Sequence, residues 1–229
     1  MTRMGRLTVL MTTLVVGLTF VAAVVQAAEG PRGGFGGGRG SLLGLLRLEQ
    51  VQKEMKLTAE QTAKVKEIVE KLGAEMRDQF ATLRDIEDRE QRQAKMDELN
   101  NEFDGKVREQ LRDVLEREQT MRLYQIRMQV RAVVDSLSSE RLAGRLEITE
   151  DQKSKLAGIR KEMLAKQWEL FGSMRDASDD QRREAFEKMR QIRSAADEQA
   201  LGVLTAAQKE SFESMKGEKF ELEMPQRQQ

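Results

Sequence analysis

Apolar residues recur every three or four positions over most of the chain, a period that predicts amphipathic α-helices. Four apolar stripes can be recognised, and polar segments at 85–90 and 176–179 predict a short turn after the first and after the third. Helices joined by short turns pack as antiparallel neighbours, so the pattern predicts two helical hairpins. The stripes contain Val65, Ile68, Val69, Leu72, Met76, Phe80 and Leu83; Met96, Leu99, Phe103, Val107, Leu111, Val114 and Leu115; Leu156, Ile159, Met163, Leu170, Phe171 and Met174; and Phe186, Met189, Ile192, Ala196 and Leu201.

The two predicted hairpins are copies of one unit, because the chain aligns with itself at an offset of 91 positions. Residues 54–61 (EMKLTAEQ) lie over residues 145–152 (RLEITEDQ), and the same register continues along the helices that follow. We place the first unit at 42–134 and the second at 135–222. The predicted fold class is all-α, with two tandem long helical hairpins and short capping helices in a thin curved or coiled-coil-like arrangement.

Three segments with the pattern Thr-x-x-Gln predict helix starts. In such a capping box the threonine oxygen accepts a hydrogen bond from the third helical amide, and the glutamine side chain reaches back to the cap amide. A fourth segment, 115–119 (LEREQ), keeps the leucine and the glutamine but lacks the threonine, which leaves open whether one helix runs through it. The complete boxes, each with its preceding apolar residue, are Leu57, Thr58 and Gln61; Ile148, Thr149 and Gln152; and Leu204, Thr205 and Gln208.

Residues 1–28 have the pattern of a secretory signal peptide. Two arginines precede an apolar run at 7–25, and the small residues Ala27 and Ala28 follow as a cleavage site. The apolar run approaches the roughly 20 residues that cross a bilayer, so an uncleaved membrane anchor is the alternative. We expect a periplasmic or otherwise extracytoplasmic protein that meets a membrane only through this segment, if the segment is kept.

Composition limits the chemistry that the chain can perform. Residues 29–41 hold many glycines and predict a flexible linker, while 223–229 predict a disordered tail. Lysine and arginine number 39, as do aspartate and glutamate, and this balance disfavours nucleic-acid binding. Histidine and cysteine are absent, which removes the usual ligands of zinc and copper and the commonest catalytic groups. We expect no enzyme activity, no cofactor and no metal site.

Residues 120–134 are the strongest candidate for a binding surface. They include three arginines and several apolar residues but no acidic residue. Such a helix suits transient contact with partly unfolded chains, because methionine repacks easily and arginine binds aromatic and carboxylate groups. The alternative, which helical spacing favours, is a connecting helix whose apolar side is core. The candidate client or partner face consists of Arg122, Tyr124, Arg127, Met128 and Arg131.

The segments 57–61 (LTAEQ), 148–152 (ITEDQ) and 204–208 (LTAAQ) resemble the LTxxQ motif of the Spy/CpxP family of periplasmic proteins. The resemblance implies helical protomers that pair as antiparallel dimers and act as ATP-independent chaperones or envelope-stress proteins. Two tandem units imitate such a dimer within one chain, and a homodimer is the alternative. The expected partners are other proteins, and the preferred ones are unfolded clients with exposed apolar segments. The alternative functions are a regulatory or sensor partner of a membrane signalling protein and a structural coiled-coil spacer.

Overall fold

The structure, a computed structural model, describes residues 40–174 and 177–222. The predicted signal peptide, the predicted tail and residues 29–39 of the predicted linker lie outside the described residues. All regular elements of the described part are helices, so the all-α prediction is confirmed. None of these helices is long and apolar enough to cross a membrane. They are α1 (Leu42–Leu46), α2 (Glu49–Glu54), α3 (Ala59–Ala81), a 3-10 helix (Thr82–Asp85), α4 (Arg89–Leu111), α5 (Arg117–Val130), α6 (Val133–Leu137), α7 (Glu140–Arg145), α8 (Glu150–Ser173), α9 (Asp179–Val203) and α10 (Ala206–Met215).

The long helices begin at side-chain caps. Thr58 and Thr149 cap α3 and α8, each with the complete capping box. The caps of α4 and α9 are Asp88 and Ser178, whose side-chain oxygens accept from the amides of Gln91 and Gln181. A capping oxygen satisfies an amide that has no partner inside its helix, so each of these residues fixes where its helix starts. The two latter caps lie in the polar segments that predicted turns.

The long helices pack in pairs. Helix α3 contacts α4, and α8 contacts α9. Within each pair the start of one helix lies beside the end of the other, because Gln61 Nε2 donates to Val114 O at 2.9 Å and Gln152 Nε2 donates to Val203 O at 2.9 Å. We call α3 with α4 the first pair and α8 with α9 the second pair.

The short helices close each pair. Helix α1 packs against α3, α4 and α5, and α6 packs against α7, α8 and α9. The four leucines of α1 are at most 2% exposed, which makes this short helix the most deeply buried helix within the described residues. The sequence predicted short helices but not their places, because five residues are too few to display a helical period.

Helices α2 and α7 end in the same backbone turn. Lys56 and Glu147 both have positive φ, at 54° and 53°. The next amide in each case reaches back into the helix, from Leu57 N to Gln52 O at 3.2 Å and from Ile148 N to Ala143 O at 2.9 Å. This left-handed C-terminal turn satisfies carbonyls that have lost their helical partners. It also turns the chain into the capping box that starts the following long helix.

The apolar side chains form two clusters. The first includes residues from α1 to α5, and the second begins at Ala132 and continues to Phe212 in α10. Ala132 and Val134 already belong to the second cluster, so the second unit starts slightly before the predicted position 135. The reason is that α5 ends at Val130 and Arg131 adopts an extended conformation, which breaks the helix between the two clusters. We use first unit for α1–α5 and second unit for α6–α10.

The two units meet along α4 and α8 through polar contacts. Arg160 of α8 binds Asp97 of α4 with two hydrogen bonds of 2.8 Å, and its Nε donates to Asp135 of α6 at 2.8 Å. Burial by itself would lower the pKa of Arg160, but the hydrogen bonds to Asp97 and Asp135 raise it above its ordinary value. The guanidinium of Arg89 lies 5.6 Å from the centre of the Trp168 ring. Trp168 is therefore a packing residue in this contact.

Candidate protein-binding surfaces

The glutamines of the LTxxQ motifs join helices as well as capping them. In the first unit Gln61 Nε2 donates to Gln119 Oε1 at 2.9 Å, and Gln119 Nε2 donates back to Gln61 Oε1 at 2.9 Å. In the second unit Gln152 and Gln208 make the same reciprocal pair at 2.8 and 3.1 Å. Each amide pair ties the start of a long helix to the start of the helix that ends the unit.

The incomplete box at 115–119 starts a helix. Glu116 has extended backbone angles, and Gln119 Oε1 accepts from Glu116 N at 3.0 Å. Helix α4 ends at Leu111 and α5 begins at Arg117, so a single helix does not run through the segment. Glu116 and Gln119 form a capping box, so a glutamate takes the place of the missing threonine. The glutamines of the second and third complete boxes are brought together by their amide pair, whereas Gln61 of the first box pairs with Gln119 of the incomplete one.

The arginine and the tyrosine at the start of the predicted client face are engaged within the chain. Arg122 Nε donates to Glu54 at 2.8 Å, and Arg122 Nη1 donates to the carbonyl of Glu218 at 2.8 Å. Tyr124 packs against the first cluster, and the guanidinium of Arg141 lies 4.9 Å from its ring centre. A client would have to displace these contacts.

Most of the remaining residues of that face also have partners within the chain. Arg127 pairs with Asp104 and donates to Gly40 O at 3.0 Å. Met128 packs against the second cluster. Burial lowers the pKa of Arg131, and the nearby charge of Arg127 lowers it further. Helix α5 lies between the two units along the chain, and its Leu123 and Ile126 are buried in the first cluster.

A different apolar surface is exposed at the end of the second pair where α8 meets α9. Phe171 is 40% exposed and Phe186 is 56% exposed. Between the helix ends lies an open cleft of about 370 Å³, lined by Leu170, Met174 and Ala185 with polar groups at its rim. We use tip patch for the apolar residues at this end that are exposed or half-buried, which are Leu170, Phe171, Met174, Phe186 and Met189. The two phenylalanines lie outside the lining of the cleft.

The corresponding end of the first pair is closed. Phe80, the counterpart of Phe171, is 8% exposed, and its ring centre lies 6.5 Å from that of Phe103. In the second unit the position of Phe103 is occupied by Arg193, which donates to Val130 O at 2.8 Å instead of filling the pair. The second pair therefore lacks this aromatic side chain.

The stripes predicted that Phe171 and Phe186 are buried, and for these two residues the prediction is wrong. The period of a stripe shows which face of a helix is apolar, but not whether another side chain covers it. The signal that could have revealed the exposure was the repeat itself. Aligning the units at their helix caps puts Arg193 opposite Phe103 and Gln167 opposite Met76.

Within residues 40–174 and 177–222, no three histidine, cysteine, aspartate or glutamate side chains are grouped so that they could hold a metal ion. Comparison of the chain with protein-family models, with curated proteins and with solved structures finds no match. The resemblance to the Spy/CpxP family stays a prediction that rests on the LTxxQ motifs and the repeat.

Proposed function

We propose that the protein is a non-enzymatic, ATP-independent chaperone of the cell envelope, which binds exposed apolar segments of other proteins at the tip patch. The observation that carries the proposal is the pair of exposed phenylalanines at the end of α8 and the start of α9. The export pattern of residues 1–28 and the resemblance to periplasmic chaperones support the location and the class of activity.

The chemistry of the tip patch suits weak, reversible binding. Burying a large apolar side chain against a client contributes about 2 kcal/mol. Two phenylalanines therefore bind a client weakly enough for it to dissociate without nucleotide hydrolysis. Met174 and Met189 adapt to different client side chains, because an unbranched thioether repacks easily. Lys188 and Glu184 at the cleft provide both signs of charge, which favours clients of no particular charge.

Light scattering of a denatured client tests this function. We expect the purified protein at equimolar concentration to slow aggregation, and the double variant Phe171→Ser, Phe186→Ser to lose most of this effect. The matched control is Met121→Ser, since Met121 is 53% exposed but lies on α5, away from the tip patch. Circular dichroism of all three proteins establishes that they are equally folded.

Equal protection by the double variant and the unsubstituted protein would remove the tip patch from the mechanism. If the unsubstituted protein itself gave no protection but retained one defined partner from an envelope extract, the regulatory alternative would replace the chaperone function. Fractionation of cells that express the full chain tests the expected extracytoplasmic location, and recovery in the cytoplasm would contradict it.

A further inference from the structure

The chain leaves α10 in a segment without regular secondary structure, which contacts α5 of the first unit. Helix α10 ends at Met215, and Gly217 has a φ of 63°, which turns the chain away from the helix axis. A β-carbon at this position would lie 2.3 Å from the side chain of Gln125. Glycine is therefore required both by the backbone angle and by the close approach to α5. We call residues 217–222 the C-terminal segment.

Side chains of α5 hold the backbone of this segment. Gln129 Nε2 donates to the carbonyls of Lys216 and Glu218, both at 2.8 Å, and Gln129 Oε1 accepts from Phe220 N at 2.7 Å. Arg122 Nη1 donates to Glu218 O at 2.8 Å. The carboxamide of Gln129 thus binds both donor and acceptor groups of the backbone of this segment. Because these bonds reach backbone atoms, they do not depend on the side chains of the bound segment.

A single side chain of the segment provides an apolar anchor. Phe220 is partly buried and packs against the first cluster. Lys219 and Glu221, on either side of it, are exposed and pair with each other. The bound segment therefore combines backbone hydrogen bonds with one aromatic anchor, an arrangement by which proteins recognise extended peptides.

The surface of α5 that holds the C-terminal segment has no counterpart in the second unit. Arg122, Gln125 and Gln129 lie three and four positions apart, so they share one face of α5. Aligning α5 with α10 at their paired glutamines puts Ser211 and Ser214 in the places of the first two. The capping boxes and the amide pairs recur in both units, whereas this face occurs only in the first.

We propose that this face of α5, with the place occupied by Phe220, is a binding site for extended peptide segments that carry an aromatic residue, and that the C-terminal segment is its tethered cover. The proposal goes beyond the tip patch and does not depend on it. A tethered segment acts at an effective concentration in the millimolar range, so a free peptide binds well only when the cover is weakened.

Fluorescence anisotropy with a labelled synthetic peptide of residues 216–222 (KGEKFEL) tests the proposal on the full chain. We expect the variant Phe220→Ala to bind this peptide about tenfold more tightly than the unsubstituted protein, because the cover has lost its anchor. Adding Gln129→Ala to that variant should abolish binding, and so should replacing the phenylalanine of the peptide by alanine. The matched control, Met121→Ala in the Phe220→Ala chain, changes an exposed residue of α5 outside the face and should bind as before.

Hydrogen exchange on the unsubstituted protein provides a measurement that no substitution can disturb. We expect excess peptide to accelerate exchange of the Phe220 amide, whose acceptor is Gln129, while the amides of α5 keep their protection. Absence of peptide binding to a folded Phe220→Ala variant, or exchange at Phe220 that peptide leaves unchanged, would overturn the proposal. Failure of the chaperone proposal is distinguishable, because the Phe171→Ser, Phe186→Ser variant should retain full peptide binding.

Discussion

Replacing Gln152 by alanine separates the two tasks of a motif glutamine. The side chain caps α8, since Oε1 accepts from Thr149 N at 3.0 Å, and it also joins helices, since Nε2 donates to Val203 O and Gln208 Oε1. Gln181 offers the matched control, because it completes the box of Ser178 with a 2.8 Å bond and remains exposed. Both substitutions keep the capping hydroxyl of their box.

The magnitudes follow from the bonds that each substitution removes. A hydrogen bond contributes about 1 kcal/mol net, so Gln181→Ala should lower the free energy of unfolding by about 1 kcal/mol. Gln152 is only 9% exposed and loses four such bonds, so Gln152→Ala should cost about 4 kcal/mol. At roughly 3 °C per kcal/mol for a chain of this size, the expected falls in Tm are about 3 and 12 °C.

Urea unfolding followed by circular dichroism at 222 nm measures both values, and the slope with denaturant should stay unchanged. A double-mutant cycle with Gln208→Ala should give a coupling energy of about 1 kcal/mol between the paired amides. If Gln152→Ala were no more destabilising than Gln181→Ala, the amide pair would not stabilise the unit, and the motif would act in capping alone.

Three further substitutions, two of them with a comparison variant, are tested by the same urea assay. Arg160→Lys should lower the free energy of unfolding by about 1–2 kcal/mol, because lysine cannot keep a two-point contact with one aspartate and a third bond to another. Its comparison variant, Lys161→Ala, removes an exposed ion pair between the same helices and should change stability little. Burial raises the pKa of Asp197 above its ordinary 3.8, so this carboxyl binds its proton at a higher pH in the folded chain than in the unfolded chain. The folded chain therefore becomes more stable as the pH falls towards 3.8. Asp197→Asn should therefore stabilise at pH 7, and a gain that persisted unchanged at pH 3.5 would contradict this cause. Gly217→Ala should cost about 1–2 kcal/mol through its positive φ, whereas Gly202→Ala in open space on α9 should stabilise by about 0.5–1 kcal/mol.

Helix starts were predictable because the interactions that set them are local. A capping box involves residues three positions apart, so Thr58, Thr149 and Thr205 could be identified without knowing any tertiary contact. The incomplete box was different. There a glutamate, Glu116, takes the cap position with Gln119 three positions on, and Gln119 is also bound by Gln61, which lies 58 positions earlier. A contact across that distance has no local signature.

Candidate surfaces were harder to predict than helices. The basic and apolar composition of 120–134 suggested a client face, but composition does not reveal that Arg122 and Arg127 already have partners inside the chain. The stripe residues Phe171 and Phe186 suggested core, but in the structure they are 40% and 56% exposed, because a stripe does not show whether another helix covers it. In both cases the decisive neighbour comes from another helix.

By itself, the sequence determined the all-α class, the repeat and most of the places where long helices begin, because periodicity and capping act over one or two turns. Tertiary structure alone decided which glutamines pair, which phenylalanines stay exposed and where the C-terminal segment lies. These outcomes depend on residues brought together over 50 to 100 positions, as Gln129 and Phe220 are, 91 positions apart. Burial and backbone hydrogen bonding at such distances are properties of the packed chain, and no short pattern of residues specifies them.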